Sequence, residues 1–132
     1  MNIKKKILLV EDELILAKTY KLAFEQAGYE VKLVEKADEA LTVAKREKPN
    51  LIVLDLVFYN EHGQLSKEPG FNALSSLMAN RETKNIPVVI FTNLSESDDD
   101  QNKALAFGAK EYIAKIDAVP KDVVRKVEKW IR

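Results

Sequence analysis

Cysteine is absent from these 132 residues. Disulfides, thiol nucleophiles and thiolate metal sites are therefore excluded, and a reducing compartment is the expected setting. His62 is the sole histidine, so a metal site built from several imidazoles is excluded too. Only four glycines occur, and none directly follows the first apolar run. That removes the glycine-rich turn with which a flavin or dinucleotide fold cradles phosphate. Net charge is missing as well: 21 Lys plus Arg balance 21 Asp plus Glu. Bulk attraction to nucleic acid or anionic lipid is not expected. The apolar runs are too short to cross a bilayer. The opening Met1-Asn2-Ile3-Lys4-Lys5-Lys6 leads quickly to acids, unlike a signal peptide. A cytoplasmic protein with no membrane and no nucleic-acid partner is expected.

What is present is an alternation. Hydrophobic residues make up 46% of the chain, enough for the core of one domain. Short aliphatic runs at Ile7–Val10, Glu30–Val34, Leu51–Leu54, Pro87–Phe91 and Glu111–Ala114 read as strands. Longer amphipathic stretches separate them. The spacing of Leu16, Tyr20, Ala23, Phe24 and Ala27 predicts a helix over about Glu13–Ala27, stopped by Gly28. Further helices are predicted over Asp38–Lys48, Phe71–Ala79, from a Ser97 cap to near Gly108, and from Pro120 to Ile131. Val123, Val127, Trp130 and Ile131 would form the buried face of the last one. Strands such as Leu51-Ile52-Val53-Leu54, apolar at every position, suit a parallel sheet covered on both faces. The expected fold is α/β, an open doubly wound five-stranded parallel sheet, of which the flavodoxin-like order 2-1-3-4-5 is a common form.

Ligands of such sheets bind beyond the carboxyl ends of the strands. Glu11 and Asp12 follow the first strand, Asp55 the third, Thr92 ends the fourth, and Lys115 follows the fifth. Folding would gather three carboxylates that resist ionising together. A hard divalent cation relieves that conflict, and Mg2+ fits, with Mn2+ able to substitute. A cation, a lysine and a hydroxyl beside a carboxylate nucleophile suit a phosphoryl group. Each residue also has an ordinary role open to it. Glu11 and Asp12 could cap the first helix, Asp55 could be a turn aspartate, and Thr92 or Lys115 alone says little. The weight lies in their coincidence at successive strand ends.

The segments Ile7-Leu8-Leu9-Val10-Glu11-Asp12-Glu13, Ala27-Gly28-Tyr29-Glu30-Val31, Pro49-Asn50-Leu51-Ile52-Val53-Leu54-Asp55-Leu56, Ile86-Pro87-Val88-Val89-Ile90-Phe91-Thr92 and Gly108-Ala109-Lys110-Glu111-Tyr112-Ile113-Ala114-Lys115 carry a resemblance over nearly the whole chain. It resembles the receiver domains of bacterial two-component response regulators, the single-domain chemotaxis type included. That family has the strand order given above, so the order is not independent support. The resemblance implies a signalling domain rather than an enzyme with turnover. Asp55 would be the phosphoacceptor. Glu11, Asp12, Asp55 and the backbone carbonyl of Val57 would bind the metal. Thr92 would be the switch hydroxyl, Lys115 the phosphate-pairing lysine, and Tyr112 the aromatic that turns inward when the threonine engages phosphate. The implied donor is a phosphohistidine on a sensor histidine kinase or a histidine phosphotransfer protein. The implied output is a surface of the fourth helix, fifth strand and fifth helix. It would meet a downstream protein or, after phosphorylation, a second copy of the chain. Residues 1–132 are expected to form one receiver domain without an output domain.

Three departures from the family stand out. Ile116 occupies the position after Lys115 where proline is usual, which bears on the placement of that lysine. Asn93 occupies a position where a small residue is usual; with Leu94 and Ile116 it would modulate the lifetime of the phosphoryl group. Residues 58–70 replace a short turn, and Phe58, Tyr59 and His62 are expected in an irregular loop, either a lid or partner contact beside the site or a tolerated surface insertion. Two other function classes remain open. A degenerate receiver would bind partners without phosphorylation, and metal-dependent phosphorylation discriminates against it. An aspartyl-phosphate phosphatase would need a second acid two residues after Asp55, where Val57 stands.

Overall fold

The computed structural model of the protein describes residues 3–93, 98–116 and 118–131. Strands β1 (Lys6–Val10), β2 (Glu30–Val34), β3 (Leu51–Leu54), β6 (Val88–Thr92) and β7 (Glu111–Ala114) form one parallel sheet in the order β2-β1-β3-β6-β7. This is the expected 2-1-3-4-5 order. A small separate hairpin of β4 (Phe58–Tyr59) and β5 (Leu65–Ser66) intervenes after β3. The helices are α1 (Leu14–Gln26), α2 (Ala40–Glu47), α3 (Glu68–Ala79), α4 (Asp98–Ala106) and α5 (Pro120–Glu128).

Alternate strand residues feed two cores. Ile7, Leu9, Leu51, Val53, Val89 and Phe91 point to one face, where Tyr20 and Phe24 of α1 and Val123 and Val127 of α5 cover them. Leu8, Val10, Ile52, Leu54, Val88 and Ile90 point to the other, where α2, α3 and α4 supply Ala40, Ala44, Leu74, Leu77 and Ala104. Both faces of β1, β3 and β6 are thus sealed, which is why their apolar runs do not alternate with polar residues. Ion pairs fasten strand starts rather than the core: the Lys6 ammonium lies 3.1 Å from Glu47 and 3.6 Å from Glu30.

Several boundaries differ from the sequence-based expectation. Ala17, not Ala27, completes the buried stripe of α1, because Ala27 already turns toward solvent ahead of Gly28 at φ +103. A single 3-10 turn, Ala37–Glu39, precedes α2, and Lys48 closes that helix in the left-handed region, one residue before Pro49. Helix α5 ends at Glu128, so Trp130 and Ile131 pack against the core from beyond its last turn. The Ser97 cap expected for α4 and the modulator Leu94 lie outside the described residues.

The largest difference is in residues 58–70, which are not an irregular loop. Phe58 is buried in the core beneath the sheet, so it anchors the segment and cannot serve in a lid. The Asn60 side chain accepts from the N–H groups of His62 and Gln64 at 2.9 Å each and closes the hairpin turn. Helix α3 begins three residues early, at Glu68, with Pro69 in its first turn, where the missing N–H costs nothing. Gly70 then lies so close to the chain just past Asp55 that a Cβ would fall on the Cα and carbonyl of Leu56. Sequence periodicity could not show this contact, because it joins two segments through the backbone of one and the absent side chain of the other. Gly70→Ala is expected to lower stability by about 1–3 kcal/mol, the usual range for overpacking, measured as the shift in urea unfolding midpoint.

Candidate functional site

The sheet places the polar residues by extending its own ladder one step. The Glu11 N–H donates to the Val34 carbonyl at 2.9 Å, the Asp55 N–H to the Val10 carbonyl at 3.1 Å, and the Lys115 N–H to the Thr92 carbonyl at 2.8 Å. Each residue is therefore still held as strand while its side chain leaves the end of the sheet. Glu11, Asp12 and Asp55 converge so that one oxygen from each lies within 4.8 Å of the others. This is the one such acidic group found among the described residues. Glu11 and Asp55 are buried, Asp12 half-buried.

Lys115 joins them from β7. Its ammonium lies 2.6 Å from Glu11 Oε1, 2.7 Å from Asp55 Oδ2 and 3.1 Å from Glu13 Oε2, with only 6% of the side chain exposed. Ile116 in place of proline has not displaced this lysine, and Ile116 itself stands in solvent. No cis peptide bond occurs among the described residues. The two remaining carboxylate oxygens of the buried pair are held by backbone: Glu13 N–H donates to Glu11 Oε2 at 3.0 Å, and Val57 N–H to Asp55 Oδ1 at 3.1 Å. Tyr59 N–H donates to Asp12 Oδ2 at 3.2 Å.

Charge in this pocket is out of balance. Burial, and then the neighbouring Asp55 carboxylate, push the Glu11 carboxyl up to about 7, although Lys115 pulls the other way. Burial also raises Asp12; the hydrogen bond from Tyr59 opposes this and the Asp55 charge adds to it. For Lys115 burial alone would lower the pKa, but the Asp55 carboxylate and then Glu11 outweigh it and hold the ammonium above its ordinary value. One lysine against three close carboxylates leaves negative charge uncompensated, in an all-oxygen donor set. Those residues fit a hard divalent cation.

Thr92 is fully buried at the end of β6, and Tyr112 sits on β7 with its hydroxyl shut in. Among the described residues neither the Thr92 Oγ1 nor the Tyr112 hydroxyl has a hydrogen-bond partner. Burial, with Asp100 and Asp55 nearby, raises the Tyr112 phenol to about 12, so it stays protonated. Buried hydroxyls without a partner are uncommon in folded proteins. Asn93, next in the chain, is exposed.

A family model described as the response regulator receiver domain matches residues 7–127. The chain belongs to the response regulator receiver family. This receiver domain is 32% identical, over 132 residues, to the probable transcriptional regulator ycf27 of Porphyridium aerugineum, a match covering 96% of this chain and 50% of that protein. The chain thus spans about half the length of the curated relatives it matches. Among solved structures it is similar to the chemotaxis response regulator CheY4 of Vibrio cholerae, with a TM-score of 0.82, 20% identity and 98% and 100% of the two chains covered. It is likewise similar to the receiver domain of the sensor histidine kinase PA1611 from Pseudomonas aeruginosa, solved with a magnesium ion in its active site cleft, at TM-score 0.80 and 23% identity, covering 97% and 98%. At those identities the two structures speak for the fold. No helix among the described residues is long and apolar enough to cross a membrane.

All the residues singled out at strand ends lie at one edge of the sheet, and four of them touch or adjoin one another: Glu11, Asp12, Asp55 and Lys115. Sequence reasoning missed two participants. Glu13 supplies a third carboxylate to Lys115; its place in the run Glu11-Asp12-Glu13 was the available signal. The Tyr59 N–H left no signal, since a backbone donor depends only on where the chain passes. Because Lys115 is the sole cation on Glu11 and Asp55 among the described residues, Lys115→Met is expected to destabilise the receiver domain at pH 8 by about 3 kcal/mol, the low end for breaking a buried pair. The loss should shrink toward pH 5. In that range Lys115, with its raised pKa, remains charged in the parent, while Glu11 takes up a proton as pH falls through 7 and the charge left unpaired is reduced. Urea unfolding of both proteins at the two pH values measures it.

Proposed function

We propose that Asp55 accepts a phosphoryl group and that the receiver domain switches a partner-binding surface in response. The observation that carries this is the Asp55 carboxylate 2.7 Å from the Lys115 ammonium, at the sheet edge where the Thr92 hydroxyl lies buried without a partner among the described residues. An Asp55 oxygen attacks phosphorus, the P–N bond of a phosphohistidine donor breaks, the imidazole leaves, and an acyl phosphate remains on Asp55. The donor is a sensor histidine kinase or a histidine phosphotransfer protein. Lys115 shifts from the carboxylate to a phosphoryl oxygen, and Thr92 donates to another. Glu11, Asp12, Asp55 and the Val57 carbonyl would hold Mg2+, with Mn2+ as a substitute. When bound, the cation neutralises charge developing on the phosphoryl oxygens.

Engagement of Thr92 pulls on the end of β6. Tyr112, whose strand pairs with β6 and whose hydroxyl lacks a partner among the described residues, turns inward in step. The surface of α4, β7 and α5 then favours a downstream protein or a second copy of the phosphorylated chain. Phosphate acts here by differential contacts with two arrangements of the same residues. Asn93 and Ile116, both exposed beside the site, set how readily water reaches the acyl phosphate, together with Leu94. The cytoplasm is the compartment that supplies such a donor and Mg2+.

Intact-mass measurement after incubation with acetyl phosphate is expected to give a single phosphoryl adduct that needs Mg2+ and is absent from Asp55→Asn. Absence of the adduct, and of fluoroberyllate binding, would instead support a receiver that binds partners without phosphorylation. Mg2+ affinity is expected to rise from pH 6 to pH 8, with uptake of the cation releasing about one proton below pH 7, because Glu11 must lose a proton held at about 7 before it can ligate. Isothermal calorimetry in buffers of different ionisation enthalpy measures both quantities.

A further inference from the structure

Among the described residues, the segment 58–66 hydrogen-bonds to the acidic site through one group. In an antiparallel hairpin, successive N–H groups alternate between pointing into the ladder and away from it. Asn60 points in, donating to the Gln64 carbonyl at 2.8 Å. Tyr59 points out, and its N–H meets Asp12 Oδ2 at 3.2 Å. Phe58, buried in the core, and the hairpin turn closed by Asn60 set the direction of that N–H. The Tyr59 ring, by contrast, is 63% exposed and does not fix it. Beyond the hairpin lies an open groove of about 1020 Å³, bounded by α2, α3 and the hairpin, with Asp12 on its wall. Among the described residues the Lys115 ammonium pairs with Glu11 and Asp55 but not with Asp12, whose Oδ2 is met instead by the hairpin's Tyr59 N–H.

We infer that the Tyr59 backbone N–H is a positioning group for cation binding: it aims the Asp12 carboxylate, and it makes cation affinity depend on the β4–β5 hairpin. The inference rests on the cation site proposed above. A carboxylate that ligates through one oxygen is held in its rotamer by a donor on the other, and loss of such an outer partner weakens a metal site. Coupling is reciprocal, so a cation that fixes Asp12 also steadies the hairpin. The inserted segment is therefore part of the site's construction, and a molecule that moved the hairpin would change the affinity for the cation.

Tyr59→Pro tests this directly. Proline is tolerated where a strand N–H lies outside the ladder, so the change removes the donor and little else. In calorimetric titration of the full chain with Mg2+, Tyr59→Pro is expected to bind about 10-fold more weakly, and Tyr59→Ala, which keeps the N–H, within about twofold of the parent. Unchanged affinity in Tyr59→Pro, or an equal loss in both variants, overturns the inference. A parent protein that binds no Mg2+ overturns the cation site itself and this inference with it, which separates the two failures. Should Tyr59→Pro lose the hairpin altogether, hydrogen exchange on the parent decides. Mg2+ is expected to slow exchange of the Tyr59 amide, and an unaltered rate overturns the coupling.

Discussion

The Lys115 ammonium between Glu11 and Asp55 is the interaction around which the acidic edge of this receiver domain is organised. Two buried carboxylates at the ends of adjacent strands repel each other and each lose hydration. Without a cation they would not both remain charged inside the fold. Lys115, just past the end of β7, offsets part of that cost and links the chain after the edge strand to the ends of β1 and β3. The compensation is incomplete, as the raised Glu11 pKa records. An incompletely neutralised pocket suits a cation that binds reversibly, and an ammonium poised on Asp55 suits an anion delivered to that carboxylate.

The remainder of the molecule serves to hold this charge arrangement still. Three strands sealed on both faces leave no freedom for Glu11 or Asp55 to slip, because a shift of register by one residue would exchange the two cores. The contact of Gly70 with Leu56 braces the chain immediately after Asp55. Beyond it, Lys67 reaches across to the buried Asp100 of α4 at 3.1 Å, and Lys103 of α4 lies 4.3 Å over the Phe71 ring of α3. The segment from Phe58 to Glu68 is thus tied at one end to Asp12 and at the other to α4. Only the hydroxyls of Thr92 and Tyr112 are left with nothing to bond among the described residues, in a region otherwise well satisfied.

Much of the fold was legible in the chain itself. Uninterrupted aliphatic runs between amphipathic stretches require a parallel sheet covered on both sides, and a parallel sheet of that kind presents its strand ends at one edge. That reasoning placed Asp55, Glu11, Asp12, Thr92 and Lys115 at one edge of the sheet without reference to any coordinate. It failed over residues 58–70, where the apolar spacing is too short for either period. A short hairpin over residues 58–66, fixed by Phe58 burial and by Asn60, and an early first turn of helix read in sequence as an irregular loop.

The sequence by itself determined the class of fold, the edge at which the polar residues gather and the chemical character of that edge, because hydrophobic period and strand-end position are local properties of the chain. Only the tertiary structure decided how those residues share charge. The 2.6 and 2.7 Å contacts of Lys115, the third carboxylate from Glu13, the Tyr59 N–H on Asp12 and the place of Gly70 against Leu56 all join segments distant in the chain or use backbone atoms. Backbone donors carry no residue identity, and burial sets the strength of a charge. Neither can be read until the chain has closed around the site.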